Sequence, residues 1–205
     1  MNIFIVCTGR TGSKTFSKAC SHFSNFTSAH ESRLSMISEE KLKYPNNHIE
    51  CDNRLSWMLG SLFKKYGNDA FYVHLKRDKL KVAKSYNNRW HVKNGIIRAF
   101  SRGVLMNPYS KDDFDVCCDY VDVVNNNIEG FFKDKENFMT INMENIADDF
   151  DRFIEKVGAE GDLDSARKSW ETVLNPTRLE GKRYRRLKYY ISKKMEVFEG
   201  RLKKN

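Results

Sequence analysis

The chain has 205 residues, of which 40% are apolar and 31% charged, and its formal net charge is +9. This composition predicts one folded domain with a buried core and excludes a miniprotein, a collagen-like chain and a disordered tail. No stretch reaches the roughly 18 uninterrupted apolar residues of a membrane span. The apolar start has no basic region before it, so it is predicted to be a strand and not a signal peptide.

Strand and helix patterns alternate along the chain. Short apolar segments predict strands at 2–7, 26–32, 48–53, 70–75 and 138–143. Apolar residues spaced three or four apart predict helices at 13–23, 54–67, 79–90, 113–133, 145–157 and 163–174. Residues 95–112 have no recognisable pattern. The alternation predicts an α/β fold over residues 1–176, with a mainly parallel central sheet flanked by helices in three layers.

The positive charge is concentrated at the C-terminal end. Residues 177–205 hold 11 Lys and Arg against 3 Asp and Glu, a local charge of +8 that leaves +1 for residues 1–176. One apolar stripe predicts a basic amphipathic helix packed on the same domain, formed by Leu187, Ile191, Met195, Phe198 and Leu202. Such a helix could bind a nucleotide phosphate, an anionic glycan or lipid surface, or a nucleic acid. A packed helix whose basic face is only solvated would have the same sequence pattern.

The five cysteines are odd in number, lie on apolar segments and lack zinc spacing. They therefore predict reduced thiols and a cytoplasmic location.

The first chemical signal is the sequence GRTGSKT at residues 9–15, between the first strand and the first helix. Gly9 and Gly12 let the backbone curl around an anion, and the helix N-terminus adds partial positive charge. Cationic and hydroxyl donors accompany them, namely Arg10, Thr11, Ser13, Lys14 and Thr15. The loop is therefore predicted to bind a phosphate group. It departs from the Walker A pattern, since Ser13 precedes the lysine where that pattern has glycine.

The second signal follows the strand at 70–75. Arg77 lies just past its carboxyl end, and Ser85 comes eight residues later on the next predicted helix. Open α/β sheets bind ligands at this edge, and a guanidinium can grip a phosphate bidentately. The pair is predicted to hold a second phosphate, although a solvated basic helix would look the same.

Together the two signals resemble the PAPS-dependent sulfotransferases, in particular the small bacterial or phage-type members with a P-loop-type fold. The residues that carry the resemblance are Arg10 to Thr15, Arg77-Asp78 and Ser85, with Lys79 where the family usually has proline. Further similar segments are AHE at 29–31, HIECDNRLSW at 48–57 and the strand and helix at 138–158. The resemblance implies that the loop at 9–15 holds the 5′-phosphosulfate of PAPS, and that Arg77 and Ser85 hold its 3′-phosphate.

Sulfonate transfer to an alcohol needs a base, cations at the departing phosphate and no metal. We assign the cationic role to Arg10 and Lys14, and we choose Glu31 as the base. His30 and Asp52 are rival bases and predicted substrate contacts.

Asn53 and Arg54 are predicted to orient the acceptor, which we expect to be a carbohydrate or a small metabolite. His74 is predicted to be a core residue, and so is Trp57.

Two other functions remain open. A P-loop kinase of a small molecule would need Mg²⁺ and ATP, and the missing Walker glycine argues against it. A nucleic-acid-binding protein would depend on the basic segment 177–205, and the nearly neutral remainder of the chain makes this partner unlikely.

Overall fold

The computed structural model of the chain describes residues 1–107, 113–171, 190–191 and 194–195. The chain divides into two units, Met1–Asp78 with Asp122–Leu174, and Lys79–Val121 with Asn175–Asn205. The basic helix predicted over 177–205 lies outside the described residues, apart from the four named positions near its middle. No described helix is both long and apolar enough to cross a lipid bilayer.

The first unit is built on a sheet of five parallel strands. Along the chain these are β1 (Asn2–Val6), β2 (Thr27–His30), β3 (His48–Cys51), β4 (Ala70–Lys76) and β5 (Phe138–Asn142). They lie side by side in the order β2-β3-β1-β4-β5, so the first strand is central. Every residue of β1 is buried, which explains why its sequence is a continuous apolar run and not an alternating one. All five predicted strands are confirmed, and the sheet is entirely parallel.

Helices cover the sheet in this unit, and they are α1 (Ser13–Cys20), α2 (Leu59–Tyr66), α6 (Ile146–Val157) and α7 (Leu163–Lys168). Alternate residues of β1 point to opposite faces. Ile3 and Ile5 pack in a cluster with Phe16 of α1 and Phe150 of α6. On the other face, the ring of Phe4 contacts three tyrosine rings, those of Tyr44, Tyr66 and Tyr72. Apolar cores therefore lie on both faces of the sheet, as the α/β prediction requires.

The second unit contains α3 (Lys79–Asn87), α4 (Ile96–Ala99) and the beginning of α5 (Asp113–Phe132), a helix that continues into the first unit. The ring of Tyr120 lies 5.1 Å from that of Tyr86 and 5.4 Å from that of Phe100. A π-helical turn at Phe100–Val104 follows α4. The structure thus gives part of the unpatterned segment 95–112 a helical conformation, while residues 108–112 lie outside the described range.

One predicted helix is divided in two. The segment 54–67 forms a 3₁₀ helix at Asn53–Trp57 and then α2, because Asp52 caps the first turn by accepting a hydrogen bond from the backbone N–H of Arg54 at 2.8 Å. Since a 3₁₀ helix has three residues per turn and not 3.6, side chains change face along it. The prediction that Trp57 is a core residue is wrong, because its exposed fraction is 38%.

Candidate functional site

The loop at 9–15 lies where the central strand β1 ends and α1 begins. Gly9, Arg10 and Gly12 have φ angles of 76°, 64° and 87°, all in the left-handed region. Glycine adopts this conformation freely, whereas for Arg10 it is strained, as is common at ligand-binding turns. A Cβ atom on Gly12 would lie 2.9 Å from Cε of Met143. The turn therefore needs glycine for its backbone angle and has little room beside it.

The N-terminus of α1 carries no cap among the described residues. Its N-cap residue is Gly12, which has no side chain to cap the first N–H groups, and the first turn has no acidic residue. The first N–H groups of a helix have no partner within the helix, and the helix dipole makes this end positive. Lys14 in this turn is exposed, while Ser13 is buried. The end of α1 thus presents backbone donors and a cation at the carboxyl edge of the sheet.

The start of the loop is fixed by Ser56, from the 3₁₀ helix after β3. Its hydroxyl accepts a hydrogen bond from the Cys7 N–H at 3.1 Å and donates one to the Cys7 carbonyl at 2.9 Å. The Gly9 N–H lies 3.3 Å from the sulfur of Cys7. Burial raises the pKa of the Cys7 thiol to about 11, so the thiol stays protonated at neutral pH. Cys7 therefore supports the loop through its backbone and its sulfur.

Arg77 follows β4, the neighbour of β1. Its Nη1 donates a hydrogen bond to the carbonyl oxygen of Arg10 at 3.2 Å, which brings the guanidinium to the glycine turn. The next residue, Asp78, donates its backbone N–H to both carboxylate oxygens of Glu144 at 3.2 Å. Arg77, from the second predicted phosphate-binding signal, thus lies beside the loop at 9–15, which is the first. Ser85 lies on α3, in the second unit, and its pairing with Arg77 stays a prediction.

His30 ends β2 and contacts the start of α1. Its Nε2 lies 3.1 Å from the hydroxyl oxygen of Ser13. One turn further along α1, the hydroxyl of Ser28 donates to the Ser17 carbonyl at 3.0 Å. These contacts place the half-buried imidazole of His30 beside the predicted anion loop.

Glu31 follows in a left-handed conformation with a φ angle of 53°. Its Oε1 pairs with Nη1 of Arg54 at 3.0 Å. Arg54 also contacts Asp52, and the other carboxylate oxygen of Asp52 pairs with Lys41 Nζ at 3.3 Å. Asp52 is completely buried. A buried charge requires its partners, so Asp52 is suited to hold Arg54 and Lys41 in place.

The remaining predicted acceptor contact is Asn53. Its side chain is buried at the first position of the 3₁₀ helix. His30 and Glu31 are therefore part-exposed at the sheet edge, whereas Asp52 and Asn53 are buried.

Two charged residues that the sequence prediction missed hold the chain just after Glu31. Glu50, completely buried in β3, accepts hydrogen bonds from both the backbone N–H and the hydroxyl of Ser32. The buried Lys41 donates its Nζ to the Arg33 carbonyl at 2.8 Å. Burial alone would raise the pKa of Glu50, but hydrogen bonds from His48 and Ser32 outweigh it and lower the pKa. A glutamate between the apolar residues Ile49 and Cys51 of a predicted strand was the available signal.

His74 lies elsewhere, in the middle of β4. It is completely buried, and its Nε2 lies 3.1 Å from Oδ1 of Asn125. Burial lowers the pKa of His74 to about 4, so the imidazole is neutral at physiological pH. The prediction that His74 is a core residue agrees with this placement.

Comparisons of the chain with known protein families, with curated proteins and with solved structures found no match. Among the described residues, no three His, Cys, Asp or Glu side chains form a group that could hold a metal ion.

Proposed function

We propose that this chain is a sulfotransferase that moves the sulfonate group of PAPS onto the hydroxyl of an acceptor. The observation that carries the proposal is the hydrogen bond from Arg77 to the Arg10 carbonyl, because it brings a second cation to an uncapped helix N-terminus. There the loop N–H groups and Lys14 would hold the 5′-phosphosulfate, and the guanidinium of Arg77 beside them would hold the 3′-phosphate of the same nucleotide. Such a set suits the charge of a nucleotide phosphosulfate.

The chemistry assigned to this edge is an in-line displacement at sulfur. The acceptor oxygen forms a bond to sulfur, the bond from sulfur to the phosphate oxygen breaks, and PAP leaves with the bonding electron pair. Arg10, Lys14 and the loop N–H groups neutralise the charge that develops on the departing phosphate. The acceptor proton passes to a base, and the reaction needs no redox partner.

Glu31 is our choice for that base. Its carboxylate is part-exposed and is oriented by Arg54 at 3.0 Å, and it follows directly after the strand that ends beside α1. His30 is the alternative, since its Nε2 contacts Ser13. The carboxylate of Asp52 pairs with Lys41 and accepts a hydrogen bond from the backbone N–H of Arg54. These contacts favour Asp52 as a residue that positions its neighbours over Asp52 as the proton acceptor. Replacing Glu31 by Gln should abolish turnover and retain PAP binding, and His30→Gln should have the smaller effect.

The nucleotide class can be tested by thermal shift with PAP, ADP and ATP, each with and without Mg²⁺. A ligand at 100 times its dissociation constant stabilises a protein by about 2.7 kcal/mol. For a chain of this size that raises the melting temperature by roughly 5–10 °C. We expect such a rise with PAP in metal-free buffer and a much smaller one with ADP. Stabilisation by ATP with Mg²⁺ and none by PAP would favour a P-loop kinase instead.

A further inference from the structure

The segment after Glu31 is held firmly at its beginning and near its end. Glu50 binds Ser32, and Lys41 binds the Arg33 carbonyl while pairing with the buried Asp52. Lys41 belongs to a 3₁₀ helix at Ser38–Leu42, so one buried cation ties both ends of the intervening residues together. We call residues 34–37, which lie between Arg33 and this 3₁₀ helix, the rim loop. Its first turn is closed by a hydrogen bond from the Met36 N–H to the Arg33 carbonyl at 3.1 Å.

The rim loop exposes three large apolar side chains to solvent. The exposed fractions are 54% for Leu34, 43% for Met36 and 78% for Ile37. Single exposed apolar residues are ordinary on protein surfaces, whereas three within four consecutive residues, on a backbone held at both ends, suit a binding surface. The three apolar side chains are therefore exposed on a backbone that is held at both ends. The first of them, Leu34, lies three residues after Glu31.

We propose that the rim loop binds the apolar part of the acceptor, so that the acceptor is an alcohol carried on an aliphatic frame. This inference rests on the proposed function. The three side chains offer no hydrogen bonds, so they cannot recognise the hydroxyl groups of a free sugar. Three residues are also far fewer than the roughly 20–30 per side that a stable protein interface uses. A small amphiphilic molecule fits both facts, with its hydroxyl at Glu31 and its aliphatic part on the rim loop.

The test uses a homologous series of alcohols from ethanol to hexanol as acceptors with PAPS. Each turnover converts the alcohol into its sulfate ester, PAP and a proton, so only the aliphatic part changes along the series. Each methylene buried against apolar side chains strengthens binding, and we expect kcat/KM to rise at least about tenfold from ethanol to hexanol. Ile37→Ser should reduce the hexanol-to-ethanol ratio about threefold or more. Thr27→Ser, which removes an exposed methyl group at the amino end of β2, should leave the ratio unchanged.

A second measurement does not depend on turnover. In methyl NMR spectra of the whole chain, hexanol should shift the signals of Leu34, Met36 and Ile37 more than ethanol does at equal concentration, and it should leave the methyl signal of Thr27 unaffected. Equal methyl shifts with both alcohols would overturn the acceptor assignment, and so would an Ile37→Ser variant with the wild-type hexanol-to-ethanol ratio. Either result, in a protein that PAP still stabilises, would leave the proposed function standing. Absence of stabilisation by PAP overturns the proposed function, and this inference with it.

Discussion

The glycine at the start of α1 allows a quantitative test of the loop geometry. Gly12 has a φ angle of 87°, and a Cβ atom there would lie 2.9 Å from Met143. A left-handed conformation costs an L-residue about 1–2 kcal/mol, and the flexible end of Met143 can move, so the backbone strain dominates. Gly12→Ala should therefore lower the melting temperature by about 2–8 °C, since 1 kcal/mol corresponds to roughly 2–4 °C for a chain of this size.

Gly60 in α2 is the matched control. It has no neighbouring heavy atom within 4 Å of a built Cβ and no positive φ. Because alanine is favoured over glycine in a helix by roughly 0.5–1 kcal/mol, Gly60→Ala should raise the melting temperature by about 1–4 °C. Circular dichroism melts of the two variants and the wild type provide the comparison. Equal shifts for both variants would refute the assignment of a strained, close-packed turn at Gly12.

Two further predictions follow from the buried ionisable groups. The pKa of Glu50 is below its ordinary value of 4.5, so its contribution to stability is complete at neutral pH and is lost as the pH falls below that value. Glu50→Gln should melt below the wild type at pH 7, and the difference should shrink toward pH 3; a pH-independent difference would contradict the ion network. Burial raises the pKa of Cys7 to about 11 and of Cys117 to about 12, whereas Cys118 is partly exposed. An aromatic disulfide reagent at pH 8 should therefore modify Cys118 first in the native protein, and rapid modification of Cys7 would show that β1 is not buried as described.

Much of the fold could be predicted because local patterns determine it. The apolar run at 2–7 predicted a strand, and it is the fully buried central strand of a parallel sheet. The glycines at 9 and 12 predicted a curled turn, and both have left-handed backbone angles. Parallel strands place their carboxyl ends at one edge, so Arg77 could be expected beside this turn from topology alone.

The remainder depends on contacts between segments that are distant in the sequence. Lys41 lies in a polar stretch of the sequence, yet it is buried, and its ammonium group pairs with Asp52 and donates to the Arg33 carbonyl. Trp57 matched a helical spacing, but the Asp52 cap begins a 3₁₀ turn and changes the face on which it lies. Neither outcome follows from helical periodicity, because burial of Lys41 depends on its ion pair with Asp52 and the 3₁₀ turn begins at the Asp52 cap.

The central claim is that the turn at 9–15 and Arg77 grip one doubly phosphorylated adenosine, and titration calorimetry with PAP in metal-free buffer tests it most directly. Lys14→Ala and Arg77→Ala each remove a charged donor worth about 1.5–3 kcal/mol, which corresponds to roughly 10–150-fold weaker binding. Lys18→Ala, which removes an exposed lysine one turn further along the same helix, should bind PAP like the wild type. Equal affinity of all four proteins for PAP, or no binding by the wild type, would contradict the account.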